Sequence, residues 1–301
     1  MCSVLVLMMK RMLFIFIDGF GIGEKDFTKN PILAAKTPAF DRLFTEGLLM
    51  SVDACLGVPG LPQSATGQTA IFTGVNAPEV VGRHINAQPT KPLRDIIEHD
   101  NLFKMLLHKG LRVANANVYR QEYLDRMNDP SDKRYKPSVT SVMTMSAGLQ
   151  FRKIEEFNSG KGIYHDITGQ IIVDSGYDSQ VITPGEAAAR YYAIARENDF
   201  TLFEHFVTDL AGHKMDMQLA IHTIELLDAF LSELLLLLDP EVDILFITSD
   251  HGNIEDVSVK THTRNPVPAI VFGKLPENFN VGIRSLLDIV PAVLAILNVH
   301  K

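Results

Sequence analysis

The sequence predicts an α/β fold: a mostly parallel sheet sandwiched by helices, with a small inserted lid. Short apolar runs of strand type alternate with longer segments of helical spacing, the rhythm of a parallel sheet covered on both faces. Several of the strand-type runs end in Asp or are followed by Asp-His. The 301 residues suffice for one large core, and only the stretch from about 120 to 182 departs from the alternation.

Each element has its own signal. Leu13 to Ile17 is bulky, partly β-branched and stopped by Asp18-Gly19, which marks a buried strand. In "TPAFDRLFTEG", Thr37 is an N-cap, Pro38 fits the first helical position and Gly47 ends the helix. "GLPQSATGQTAIFTG" enters a helix at Ser64 and runs to Gly74, and "DNLFKMLLHKGLRVANANVY" gives a helix to Gly110 and a strand near 111 to 118. From Gln121 to Thr183 the chain turns charged, Gly/Ser-rich and less periodic, apart from a helix expected within Ser138 to Leu149. Residues 1–119 and 183–301 are therefore expected to form the core, and 120–182 a small insertion or lid.

The alternation then resumes. Pro184 opens a helix, "FTLFEHFVTD" reads as a strand over 201–207 followed by Asp209, and 214–238 is a long helix. "VDILFITSD" and "VPAIVFG" are strands, and "SLLDIVPAVLAIL" is the closing helix.

Composition narrows the function. Hydrophobic residues at 46% and charged residues at 21% are ordinary for a globular chain. A formal charge of −8 without a clustered basic stripe argues against nucleic acid, so an anionic substrate would need a local cation source such as bound metal. Cys2 and Cys55, the only cysteines, are too few for a disulfide framework and fit a reducing, cytoplasmic setting. The apolar start is interrupted at Lys10-Arg11, well short of the roughly 20 residues of a membrane span, so neither signal peptide nor membrane helix is expected, and residues 1–11 read as a dispensable extension.

The strand ends carry the chemistry. Asp18 follows the first strand, Asp209 the 201–207 strand and Asp250-His251 the 244–248 strand; His213 lies four residues beyond Asp209, and His262 stands just before the strand at Val267. Ligands collect at the carboxyl ends of strands in such sheets, so three carboxylates and three imidazoles are expected along one edge, enough for two three-ligand sites. Mixed imidazole and carboxylate suits Mn²⁺, Zn²⁺ or Fe²⁺. Two ions roughly 4 Å apart can clamp a phosphoryl group. Ser64, at a helix entrance, is the candidate nucleophile, since metal coordination lowers a hydroxyl pKa and the helix N-terminus favours negative charge. Arg83 and His84 in "GRHINAQPTKPLR", with Lys91 and Arg94 behind them, are candidate substrate contacts.

"FIDGFGIGEKDFTKNPILAAKTPAFDRL", "SATGQTAIFTG", "TDLAGH", "SDHGN" and "HTRNPVP" together resemble the alkaline phosphatase superfamily, and within it the branch of cofactor-independent phosphoglycerate mutase and phosphopentomutase. The resemblance implies one ion held by Asp209, His213 and His262, a second by Asp18, Asp250 and His251, and Ser64 between them as the residue phosphorylated during turnover. It implies two divalent ions, Mn²⁺ or Zn²⁺, and a small phosphorylated substrate. Gly252 is expected to let the backbone turn away behind the Asp-His pair. The short insertion, and Gln68 where the mutases carry His, point to a phosphomonoester hydrolase ahead of a phosphomutase or a catalytically silent metal-binding module. Oligomeric state is left open.

Overall fold

The computed structural model describes residues 10–129, 131–132, 136–277 and 279–299. The expectations made on the start of the chain therefore lie outside the described residues for positions 1–9. Arg11 is not dispensable in kind: it is the first residue of the central strand.

Six strands form one sheet: β1 (Arg11–Ile17), β2 (Leu48–Val52), β3 (Val113–Asn115), β4 (Phe200–His205), β5 (Asp243–Thr248) and β6 (Val267–Phe272), in the spatial order β2-β6-β5-β1-β4-β3. β1 is parallel to both β4 and β5, and β3 is parallel to β4. β6 runs antiparallel to β5 and to β2. The sheet is thus mostly parallel, as its buried, continuous apolar strands require.

The helices are α1 (Pro38–Glu46), α2 (Ser64–Thr73), α3 (Ala77–Val81), α4 (Lys91–His99), α5 (Leu102–His108), α6 (Gln121–Asn128), α7 (Val139–Ser146), α8 (Ile154–Asn158), α9 (Gln170–Asp174), α10 (Pro184–Arg196), α11 (Val207–Gly212), α12 (Met217–Leu237) and α13 (Ile289–Ile296). Side chains alternate across a strand, so β1 feeds two cores. Leu13, Ile15 and Ile17 join the side chains of α1, α10 and α12 on one face, and Met12, Phe14 and Phe16 join α2, α5, α7 and α13 on the other. Phe14 stacks on Phe246 of β5 with ring centroids 5.1 Å apart, an arrangement worth about 0.5–1.5 kcal/mol beyond its buried area.

Three boundaries differ from the sequence reading. β2 is an edge strand with Leu48 and Leu49 exposed, so it lacks the inward alternation that would have marked it. The strand expected over 111–118 is in the sheet only at Val113–Asn115; beyond it, Asn117 and Val118 form isolated bridges to Ile163 and Arg152 instead. β4 ends at His205, and Asp209 belongs to the first turn of α11 instead of a strand end. Among the described residues no helix is long and apolar enough to cross a membrane.

Candidate metal centre

Asp18 leaves β1 and Asp250-His251 leave β5, adjacent parallel strands whose carboxyl ends open on the same edge. β6 is antiparallel, so its start, not its finish, reaches that edge, and this is why His262 can act from a loop that precedes its strand. Asp209 and His213 reach it differently. Four residues apart on one helical turn, they share a face, and His213 Nε2 lies 3.4 Å from Asp209 Oδ2.

Ser64 opens α2, every residue of which is buried, and its Oγ lies 3.0 Å from His251 Nε2. That nitrogen is also 3.2 Å from Asp18 Oδ1 and 3.6 Å from Asp250 Oδ2. Gly67 permits the approach: a Cβ there would meet the Asp250 Cβ and carbonyl at 2.9 Å. Gly252 has a similar task. It does not take a left-handed backbone conformation to turn the chain, as expected from sequence; a Cβ at that position would collide with Glu255 Oε1 and Thr263 Oγ1, so the glycine makes room.

The second cluster is oriented from behind. His213 Nδ1 donates to the Lys260 carbonyl at 2.8 Å and His262 Nδ1 to the Pro62 carbonyl at 2.9 Å. A carbonyl only accepts, so each ring carries a proton on Nδ1 and turns Nε2 inward. The two Nε2 atoms are 3.2 Å apart, and His262 Nε2 is 3.5 Å from Asp209 Oδ1. Two ring nitrogens this close need a shared proton or a cation between them.

The donor atoms of Asp18, Asp250 and His251 lie within 4.8 Å of one another, as do those of Asp209, His251 and His262. His251 thus borders both clusters, because its ring stacks on His262 at 3.7 Å between centroids. His251 Nδ1 is buried with no hydrogen-bond partner, and Asp18 Oδ1 meets only His251 Nε2. Buried polar atoms without partners are rare, and a donor set of this kind is suited to a divalent ion.

Electrostatics agree. Burial, and for Asp250 also the charge of Asp18, raises the pKa of both carboxyls. Burial would lower His251, but Asp250 and Asp18 outweigh it and hold the imidazole up at about 10. His262 is pushed down to about 4 by burial and then by His251.

Asn253 and Glu255 were not singled out from sequence, and Gln68 only as the residue standing where the mutases carry His. Asn253 Nδ2 donates to Asp209 Oδ1 at 2.6 Å, and buried Glu255 accepts from the backbone N–H of Gly21 and of Asn253, and from Asn265 Nδ2 and the Thr263 hydroxyl. Glu255 therefore ties three ligand-bearing loops together. Gln68, one helical turn beyond Ser64, donates to Asp18 Oδ2 and Asp250 Oδ2. The signal for Asn253 and Glu255 was proximity within "SDHGNIED"; for Gln68 it was the four-residue spacing from Ser64.

In front of Ser64 lies a cavity of about 460 Å³ bounded by Asp18, Asp209 and His213 on one side and by Asn117, Arg120, Lys136 and His165 on another. Glu204 lines it too, buried and accepting from the Thr140 hydroxyl, with its carboxyl pushed up to about 7 by burial. Arg83 and His84 do not line this cavity. Arg83 is exposed, and His84 bonds the Val58 carbonyl through Nε2 at 3.2 Å. Lys91 pairs with Asp95, and Arg94 bonds the Pro89 carbonyl, so the cations on the cavity wall are Arg120 and Lys136 instead.

Residues 10–301 match a family model described as the metalloenzyme superfamily. The chain is 30% identical over 227 residues to a 2,3-bisphosphoglycerate-independent phosphoglycerate mutase of Metamycoplasma hominis, covering 72% of this chain and 44% of that protein. It is 26% identical over 259 residues to a phosphopentomutase of Clostridioides difficile, covering 80% and 61%. The chain spans about half the length of the curated relatives it matches. Among solved structures it is similar to the PH0037 protein of Pyrococcus horikoshii, with TM-score 0.60, 17% identity, and 98% and 99% of the two chains covered. It is also similar to the alkaline phosphatase of the Antarctic bacterium TAB5, with TM-score 0.57, 12% identity, and 98% and 100% covered. At these identities the structural likeness carries the fold alone.

Proposed function

The chain belongs to the metalloenzyme superfamily, of alkaline phosphatase-like fold, and from that premise we propose that it is a two-metal phosphoryl-transfer enzyme hydrolysing small phosphomonoesters through a phosphoserine at Ser64. The observation that carries the reading is the convergence of the His213 and His262 Nε2 atoms, 3.2 Å apart beside the Asp209 carboxylate, with Ser64 held against His251 in the adjoining cluster. One divalent ion, Mn²⁺ or Zn²⁺, would be held by Asp209, His213 and His262, and another by Asp18, Asp250 and His251. When bound, the ions supply the charge that lowers the Ser64 hydroxyl pKa and stabilises the phosphoryl oxygens.

The rest falls to the chain. Asn253 aims Asp209, the Lys260 and Pro62 carbonyls fix the imidazole tautomers, and Glu255 locks the three loops so that donors move little. Ser64 Oγ attacks phosphorus as the bond to the leaving alcohol breaks, and water later takes the phosphoryl group from Ser64. Ser64 begins a helix, whose N-terminal N–H groups favour the developing negative charge. Arg120, Lys136 and His165 wall the cavity, on a stretch whose α7, α8 and α9 pack into the two cores.

The names of the relatives favour a second reading, a phosphomutase that returns the phosphoryl group to its substrate. Phosphate release from a panel of phosphomonoesters separates them, using protein stripped by chelator and restored with Mn²⁺ or Zn²⁺. Metal-dependent release supports the hydrolase. Absent release, with intact mass showing phosphate on Ser64, supports the mutase; neither release nor phosphoserine overturns both.

A further inference from the structure

The cavity in front of Ser64 holds about 460 Å³, in the range of sites that enclose a drug-sized ligand and well beyond a phosphoryl group alone. Much of its wall is aromatic. Phe206, three residues ahead of Asp209, stacks one face on His165 with ring centroids 3.9 Å apart, and among the described residues no other ring stacks on it. Tyr119 and Tyr123, also on the wall, stack on each other at 5.8 Å. Their hydroxyls are already engaged: Tyr119 accepts from Asn115 Nδ2 at 3.0 Å, and Tyr123 from the Ser138 backbone N–H at 3.0 Å. These rings therefore offer faces and edges to a ligand, not polar tips. Burial, and then His205, push the His165 pKa well below its ordinary value, so this imidazole adds no charge to the wall.

The loop ahead of α4 adds amides. Asn86, Ala87 and Gln88 line the same cavity, and Ala87 has φ 61°, a left-handed conformation that non-glycine residues rarely adopt, with Asn86 Oδ1 accepting from the Ala87 N–H at 2.7 Å. Strained backbone of this kind clusters at ligand sites. The Asn86 side-chain nitrogen and the Gln88 amide bond no protein group among the described residues. An aromatic face that can stack a planar ring, beside free primary amides that can read its edge, is the chemistry that recognises a nucleobase. We propose that the substrate is a nucleoside monophosphate, its base stacked on Phe206 within the aromatic wall and its phosphate at Ser64, which makes Phe206 a specificity-determining residue. Arg120 and Lys136 would suit a second anion on the alcohol, but each is partly engaged, Arg120 with the Ser175 hydroxyl and Lys136 with the Asp132 carbonyl, both at 3.1 Å. The inference rests on the reading of Ser64 as the centre of phosphoryl transfer.

The test measures phosphate release by the full chain, loaded with Mn²⁺ or Zn²⁺, from three kinds of ester: nucleoside 5′-monophosphates, ribose 5-phosphate, which lacks the base, and 3-phosphoglycerate, which bears a carboxylate instead. Base–aromatic stacking sets the scale, so kcat/KM for the best nucleotide is expected to exceed that for ribose 5-phosphate roughly 5- to 150-fold. In Phe206→Leu that ratio should fall toward unity while ribose 5-phosphate turnover and metal content hold, and Phe206→Tyr, which keeps the ring, should preserve it. Calorimetric titration of metal-loaded Ser64→Ala with the same compounds gives the ratio as dissociation constants, so it is read even where no phosphate is released to water. Ribose 5-phosphate or 3-phosphoglycerate equalling the nucleotides overturns the proposal, and so does a ratio unmoved in Phe206→Leu. Where that variant fails to fold, the wild-type and Ser64→Ala ratios decide. A chain that neither binds nor turns over any of the three loses the phosphoryl-transfer reading as well, an outcome distinct from equal use of all three.

Discussion

Ser64 Oγ and His251 Nε2, 187 positions apart in sequence, meet at 3.0 Å where the start of α2 faces the loop after β5. If Ser64 is the nucleophile, Ser64→Ala lowers turnover on the order of 10³-fold or more, as loss of a nucleophile does. The thermal midpoint and metal content stay near wild type, since the hydroxyl caps nothing in α2. Full activity in the variant removes the phosphoenzyme route.

Asp250→Asn replaces a buried carboxylate by a neutral amide beside Asp18 and His251. The expected result is loss of one of two bound ions after dialysis, read by elemental analysis. Two ions retained at wild-type affinity would mean that Asp250 is not a ligand.

Asn253→Ala leaves Asp209 Oδ1 without the donor that aims it. Metal affinity should fall roughly 10- to 100-fold with the fold intact, because outer-shell partners orient ligands. Chelator competition measures it, and circular dichroism controls for folding.

Glu204 gives a pH signature in chelator-treated protein. Its carboxyl is raised from 4.5 to about 7 in the folded chain, so the native state holds a proton that the unfolded state releases between those values. Glu204 therefore contributes its full stability below about pH 4.5 and loses it as pH rises through about 7, an effect on the order of 3 kcal/mol. Glu204→Gln cannot ionise, so its stability relative to wild type should climb from pH 5 to pH 8 in urea titrations. A difference that stays flat across that range contradicts the assignment.

Arg11 Nε donates to buried Asp243 Oδ1 at 2.6 Å, joining the first residues of β1 and β5. Arg11→Met strands the carboxylate with only the Tyr192 hydroxyl and the Asp239 N–H, and should destabilise by about 3 kcal/mol in denaturant melts. A change near zero would show that solvent reaches Asp243.

The most legible parts of the sequence were those where local pattern and burial agree. β1, β5 and β6 are continuous apolar runs, and α1 and α2 carry clear entry and exit residues, so their extents follow from composition. That Asp18, Asp250 and His251 meet at one edge was also readable, because strand ends in such sheets converge, whereas Asp209 and His213 arrive on a helical turn and His262 on the loop before an antiparallel strand. What was hidden depends on pairing. The reversal of β6 leaves no mark on "VPAIVF", since a buried strand looks alike in either direction. The misassigned end of β4 has a similar cause: "FVTDLAG" is apolar enough for a strand, and only the Asp209–His213 spacing reveals its helical turn. Arg83 and His84 were attractive as charges in a loop, but which charges face a cavity is a matter of long-range packing, and Arg120 and Lys136 hold those places.

The first strand in sequence is a central strand in space, and that placement sets a timetable. β1 pairs only with β4 and β5, which begin at Phe200 and Asp243, so its fully buried residues have no sheet partner until most of the chain exists. At ribosomal speeds of about 5–20 residues per second, that wait is on the order of ten seconds or more. A nascent chain must keep "MLFIFI" from sticking to its neighbours for all of that time, and a messenger cut short before Phe200 would yield a product whose most adhesive segment never finds a sheet partner.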